Sequence, residues 1–231
     1  MARQDIQLSE NAVKNTKSRS LGIELEAKIL QTKVKRGRLL DIGCDLGDLF
    51  TWFLKPDWEC FGAEISPSAA AFASRTHDVK VYPGTVINAA FKENFFDLVT
   101  VLDTFYYVDN PQKELTEIYR ILKPNGICAI EIPGQKYQML RSRGLFCWLI
   151  DRKWTRLHTD SSYLYWFSSR GLEELFKNTG FSIDQILPIP SPSVSRNKIY
   201  KLASKLYYYQ FNNMGQSFDW APKYLMIGKK P

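Results

Sequence analysis

Short apolar runs bounded by turn residues recur from Leu39 to Gly228, and the stretches between them carry apolar positions at helical spacing. Seven runs read as strands: Leu39–Ile42, Trp58–Glu64 (WECFGAE), Val79–Tyr82, Phe96–Leu102 (FDLVTVL), Ile127–Ile132 (ICAIEI), Phe181–Leu187 and Tyr224–Gly228 (YLMIG). FDLVTVL is apolar almost without interruption, the pattern of a strand covered on both faces. The spacing predicts a helix over Leu21–Thr32, with Leu21, Ile23, Leu25, Ile29 and Leu30 inward and Glu24, Glu26 and Lys28 outward. Further helices are expected over Asp48–Leu54, stopped by Pro56, and over Pro67–Ser74, opened by Ser66 as N-cap. Pro111–Leu122 is strongly amphipathic and ends in the turn Lys123-Pro124-Asn125-Gly126. Ser168–Asn178, terminated by Gly180, and Lys198–Phe211 complete the set.

Strand and helix alternate from 38 to 132 with short connections. Such alternation implies parallel strands joined by right-handed crossovers, hence an α/β fold with a doubly wound, mainly parallel seven-stranded sheet. Ligands in such sheets sit outside the carboxyl ends of the strands. Those ends supply Asp41, Glu64, Gly84, Asp103 and Glu131.

Two segments break the rhythm. Residues 135–165 are basic and aromatic (LFCWLIDRKWTRLH) and read as an α-helical, aromatic substrate lid. Residues 189–222 start Pro/Ser-rich and hold the Lys198–Phe211 helix, whose Lys198, Lys201 and Lys205 give it a basic face capable of weak contact with anionic lipid. Residues 1–18 lack periodicity and are expected to be a mobile N-terminus, leaving 19–231 as one domain.

Composition narrows the classes. At 45% hydrophobic residues, the 231-residue chain can bury a sizeable core. Its net charge of +7 is spread without a dense Lys/Arg block, so no nucleic-acid partner is expected. No apolar run approaches the ~20 residues of a membrane span, and the polar N-terminus has no secretory apolar core. Cys44, Cys60, Cys128 and Cys147 are scattered, with no C-x-x-C pair, so neither a metal site nor a disulfide framework is indicated. Free thiols fit a reducing, cytoplasmic setting.

The stretch with the most chemistry is Arg38–Phe50, RLLDIGCDLGDLF. A strand that ends in a glycine turn and opens a helix leaves backbone N–H groups beside an open crevice, as nucleotide sites require. Asp41, two residues before Gly43, repels a pyrophosphate but can meet an ammonium group. Glu64 ends the second strand about 20 residues on, where a carboxylate can take both ribose hydroxyls.

Leu40–Gly47 (LDIGCDLG), Glu64, Phe96–Val99 (FDLV) and Leu122–Gly126 (LKPNG) together resemble the class I S-adenosylmethionine-dependent methyltransferases, of the small-molecule type related to ubiquinone biosynthesis. Tyr163–Phe181 resembles a later segment of the same family more loosely. The resemblance implies a Rossmann-like methyltransferase fold and S-adenosylmethionine as cofactor, with S-adenosylhomocysteine as product. By it, Asp41 and the Gly43–Gly47 turn (Gly43, Cys44, Asp45, Gly47) hold the methionine portion, Glu64 grips the ribose and Ile65 lies against the adenine. Thr85 stands where an acid often meets the adenine amino group, and Leu102 and Asp103 line the methionine and acceptor side. Four positions depart from the family pattern: Asp45 replaces a glycine, Thr85 an acid, and Tyr107 and Tyr163 two histidines. Tyr107, Tyr163 and His158, in the aromatic segment, are thus the candidates for handling the acceptor's proton, and His77 reads as a solvated loop residue.

The function this implies is methyl transfer to a small molecule, most readily to oxygen, since positioning against an activated donor does most of the work. One rival is a methyltransferase-like binding or regulatory protein with weakened catalysis, favoured by Asp45, Thr85 and Tyr107. Another is a nucleic-acid methyltransferase, disfavoured because Leu102-Asp103-Thr104-Phe105 lacks the Asn/Asp-Pro-Pro-Tyr/Phe signature.

Overall fold

The computed structural model describes residues 22–136, 163–189 and 221–231. Helix α1 spans 22–33. Then follow β1 (Gly37–Ile42), α2 (Phe50–Phe53), β2 (Trp58–Glu64), α3 (Pro67–His77), β3 (Lys80–Pro83) and α4 (Val86–Ala89). After them come β4 (Phe96–Leu102), a 3-10 turn at Phe105–Tyr107, α5 (Pro111–Ile121), β5 (Leu122–Pro133), α6 (Ser169–Thr179), β6 (Ser182–Ile189) and β7 (Lys223–Lys229).

The strands form one seven-stranded sheet in the order β3-β2-β1-β4-β5-β7-β6. The first five pair in parallel, and β7 runs antiparallel between β5 and β6. The doubly wound, mainly parallel sheet read from the sequence is therefore present. Among the described residues no helix is long and apolar enough to cross a membrane.

Side-chain alternation splits the core into two layers. Leu40, Ile42, Val99, Val101, Cys128 and Ile130 point to the face covered by α5 and α6. Leu39, Leu98, Leu102, Ile127, Ala129, Leu225 and Ile227 point to the face covered by α1, α2 and α3. Asp41, Thr100, Glu131 and Lys223 share the period of this second set, so the pleat alone puts four polar side chains on the α1 side. The helices carry local stop and start chemistry. Ser66, Asn110 and Ser168 cap α3, α5 and α6 by accepting from Ala69 N, Lys113 N and Gly171 N.

Several sequence expectations shift. Glu26 is not on the outer face of α1. The buried stripe is Ile23–Glu26–Ala27–Leu30, at spacings of three, one and three, and Glu26 is 1% exposed. Helix α2 is a single turn, because Asp48 and Leu49 still belong to the turn before it. Strand β5 starts at Leu122, which pairs with Phe96, and the Lys-Pro-Asn-Gly stretch bulges out before Ile127 meets Leu98. Below that bulge Asp97 accepts from Arg38 N at 2.8 Å and pairs with Lys123 at 2.7 Å, lacing β1, β4 and β5 at their amino ends. His77 is the last residue of α3, half-buried, and its Nε2 lies 3.1 Å from the Leu46 carbonyl oxygen. It props the glycine turn instead of hanging in solvent. The Lys198–Phe211 helix and most of the 135–165 lid segment lie outside the described residues.

Candidate cofactor and acceptor site

Strand order reverses between β1 and β4, and a crevice opens there at the carboxyl ends of the strands. It encloses about 570 Å³ of empty space, its open mouth included. Asp41, Gly43, Cys44, Asp45, Leu102 and Asp103 line it, six of the ten residues expected to hold a cofactor. Glu26, Glu131 and Lys223 line it too.

The glycine turn is shaped by close approach. Gly43 has φ +70°, and a Cβ there would sit 2.4 Å from Thr104 Oγ1. Gly47 has φ +84°, and its Cβ would sit 2.7 Å from the His77 ring and 2.8 Å from Phe50. Neither position admits a side chain. Asp45, at the family's middle glycine, has φ +49°. It adopts the left-handed conformation that glycine serves there, one that Asp tolerates better than most residues.

Glu64 locks this turn to β2. Its Oε2 accepts from Asp45 N at 2.9 Å and its Oε1 from Ser66 N at 2.8 Å. Each oxygen keeps a second lone pair for a ligand hydroxyl. Asp41 is buried at the crevice floor, where Thr100 Oγ1 donates to its Oδ1 at 2.8 Å. Burial first, then Asp41, Glu64 and Asp45, push the Cys44 thiol far above its ordinary value. It is held as a neutral thiol and is no nucleophile.

Ile65 and Thr85 stand apart from the crevice lining. Ile65 is 75% exposed beside Glu64, an apolar side chain presented to solvent at the rim. Thr85 Oγ1 accepts from Asn88 N at 3.3 Å and caps α4, so its oxygen is engaged in local structure.

On the other side, Asp103 has φ +58° and accepts from Tyr106 OH at 3.0 Å and from Lys223 Nζ. Tyr106 packs against Tyr107 at 4.5 Å and Tyr163 at 4.3 Å between ring centroids, with Trp166 5.2 Å from Tyr163. Two of the three catalytic candidates, Tyr107 and Tyr163, thus meet in one aromatic cluster next to Asp103. His158 lies outside the described residues. Burial, then Asp103, Tyr163 and Tyr107, push the Tyr106 phenol far up, so it stays a hydrogen-bond donor.

The sequence reading named Glu131 only as a strand end and did not bring in Glu26, Thr100 or Lys223. Lys223 Nζ pairs with Asp103 and lies 2.6 Å from Glu131 Oε1. Burial works to lower the Lys223 ammonium, and Glu131 and Asp103 overcome it, holding it above its ordinary value. Burial raises the Glu26 carboxyl well above the usual range, and Glu131 adds to the shift by its charge and by a side-chain hydrogen bond. Two carboxyl groups can hydrogen-bond to each other only when one carries a proton.

The donor set suits a positively charged nucleoside better than a phosphate. Asp41, Asp45, Asp48, Asp103, Glu26 and Glu131 face the crevice against one cation, Lys223. A sulfonium amino acid joined to a ribose would meet these acids, while Glu64 and Gly47 are not among the lining residues of the crevice. Asp41, the Gly43–Gly47 turn and Glu64 are the groups that would hold it. Among the described residues no cluster of His, Cys, Asp and Glu could hold a metal ion.

A family model described as "Methyltransferase domain" matches residues 19–186. The Aspergillus luteorubrus protein named "Probable methyltransferase ltbC" is 32% identical over 149 residues, 57% of this chain and 50% of that protein. Demethylmenaquinone methyltransferase of Thermus thermophilus is 30% identical over 104 residues, 42% of this chain and 47% of that protein. The match thus spans about half the length of each of these relatives. A SAM-dependent methyltransferase from Thermotoga maritima superposes with a TM-score of 0.64 at 22% identity, covering 98% of this chain and 96% of its own.

Proposed function

From the premise that this chain belongs to the class I S-adenosylmethionine-dependent methyltransferases, with S-adenosylmethionine as cofactor, we propose that it methylates a hydroxyl oxygen of a small-molecule acceptor in the cytoplasm. One observation carries the cofactor end: both Glu64 oxygens are fixed by backbone N–H groups at the switch point, each with a lone pair left for a ribose hydroxyl. The left-handed backbone of Asp45 supports binding, because it reproduces the turn without glycine and keeps the loop hydrogen-bonded to Glu64.

The acceptor end rests on the aromatic cluster of Tyr106, Tyr107, Tyr163 and Trp166 beside Asp103. Such a wall suits a flat, hydroxyl-bearing molecule. A relative whose name states a small-molecule acceptor, demethylmenaquinone, points the same way. The cofactor supplies an activated methyl group. The residues supply position, exclusion of water and a place for the acceptor's proton.

Calorimetry with S-adenosylmethionine and S-adenosylhomocysteine tests the cofactor end. Both are expected to bind, and Glu64→Ala is expected to weaken both at least about tenfold, the loss of one charge-assisted hydrogen-bonding group. Absence of binding by either ligand would refute the reading. Methyl-labelled cofactor incubated with phenols, aliphatic alcohols, amines and bulk tRNA tests the acceptor. Label is expected in a phenol or alcohol, and label in tRNA or an amine would overturn the assignment.

A further inference from the structure

We propose that Glu26 and Glu131 form a shared-proton carboxyl pair that faces the transferred methyl group and takes the proton of the acceptor's hydroxyl. This deepens the methyl-transfer reading and rests on it.

Sheet order places the pair. The cofactor groups Asp41, the glycine turn and Glu64 belong to β1 and β2. Strands β4, β5 and β7 follow on the opposite side, each about 4.8 Å from the last. Glu131 pairs in register with Leu102 on β4 and Leu225 on β7. It therefore lies on the acceptor side of the crevice, on the same face as Asp41. Glu26 descends onto it from α1, the helix that covers this face.

Glu26 is 1% exposed and lines the crevice; among the described residues its Oε1 and the Oε1 of Glu131 are the buried side-chain oxygens without a hydrogen-bond donor, and the two carboxyls bond each other. A buried oxygen left unmatched is destabilising. A proton shared between the two carboxyls satisfies that oxygen, and both residues line the crevice. The charged and titratable groups around it are Glu131 on β5, Lys223 on β7 and Asp103 after β4. Lys223 balances one of the carboxylates, and Tyr106 donates to Asp103. Among the described residues the carboxyl pair thus meets no donor other than its own proton and Lys223. Tyr107 and Tyr163, by contrast, are phenols in place of imidazoles, and Tyr107 is 43% exposed.

In the reaction the acceptor oxygen bonds the methyl carbon, and the electron pair of the carbon–sulfur bond stays on sulfur. The hydroxyl proton passes to the carboxyl pair and from there to water. Charge and atoms balance without a further reactant.

Calorimetry in buffers of different ionisation enthalpy counts the protons linked to binding. S-adenosylmethionine and S-adenosylhomocysteine differ in one methyl group and one positive charge at sulfur. A sulfonium facing the pair drives its proton off, so S-adenosylmethionine is expected to release a fraction of a proton that S-adenosylhomocysteine does not. Glu26→Gln keeps the shape and neutrality of a protonated carboxyl and is expected to abolish that difference, and Glu131→Gln to abolish it as well. Equal proton counts in the unmodified protein, or a difference surviving in both variants, would overturn the proposal while leaving cofactor binding intact. Failure of both ligands to bind would overturn the methyl-transfer reading itself. With the phenol or alcohol that accepts label, Glu131→Gln is expected to lower kcat at least tenfold near neutral pH and to recover as rising pH ionises the acceptor. An unchanged kcat would also refute the role.

Discussion

Asp45 shows how much one backbone angle can decide. It sits at φ +49° in a turn flanked by two glycines with positive φ. For a side chain without local hydrogen-bonding capacity the left-handed region costs roughly 1–2 kcal/mol. Asp45→Ala should therefore be about 1 kcal/mol less stable than Asp45→Gly in urea unfolding. Equal stabilities would mean that the turn relaxes around residue 45. The sequence showed the substitution but not the left-handed backbone it adopts, because φ is not written in residue identity. Glu26 was hidden for another reason. Periodicity counts apolar positions, so an acid in the inward stripe reads as an outward one. The spacing of Ile23, Ala27 and Leu30 held the signal, since Glu26 falls on their face. His77 was equally illegible, because its role depends on α3 ending beside Leu46.

At the scale of elements, strands were legible because their apolar runs answer to burial on two faces, and caps because Ser66, Ser168 and Gly180 carry local chemistry; the Asn110 cap of α5 came only with the structure. Helix α4 was not read. Four residues between Thr85 and Ala90 are too few to show a period. Helix α5 carries its own test. Glu114 lies in its first turn, buried, and burial, then Glu117 and Asp109, push its carboxyl from 4.5 up to about 7. The folded protein then binds this proton more tightly than the unfolded chain does. Its stabilising contribution is complete below about pH 4.5 and is lost as pH rises through about 7. Glu114→Gln should remove a loss on the order of 2–3 kcal/mol. Thermal unfolding across that interval should show a flatter dependence in the variant. Glu26 titrates in the same direction, so part of the slope should remain.

At the scale of the molecule, the antiparallel β7 joins the edge strand β6 to the five parallel strands. Among the described residues β6 pairs with no other strand, and Tyr224, Leu225, Met226 and Ile227 are fully buried. Burying such a side chain is worth about 2 kcal/mol. Four of them approach the whole stability of about 5–15 kcal/mol expected of a domain. A chain lacking 221–231 should therefore show no cooperative thermal transition by circular dichroism, and retention of one would place the folding core in β1–β5 alone. The net charge of +7 is also uneven in space, since the crevice is acidic while the chain as a whole is basic. The total did not foretell this, because pleat alternation gathers Asp41, Glu131 and the neighbouring acids on one face.

The direction of β7 also fixes a sequence of events during synthesis. An antiparallel strand brings its first residue, not its last, to the rim where the parallel strands end, and so Lys223 reaches Asp103 and Glu131. Roughly thirty residues separate it from Ile189, a few seconds of translation at about 5–20 residues per second. For those seconds β5 presents a bare edge, β6 has no neighbour, and two crevice acids lack their counter-ion. A ribosome stalled in this window would display a strand edge open to foreign chains, and nascent chains arrested before Lys223 should be the ones chaperones retain.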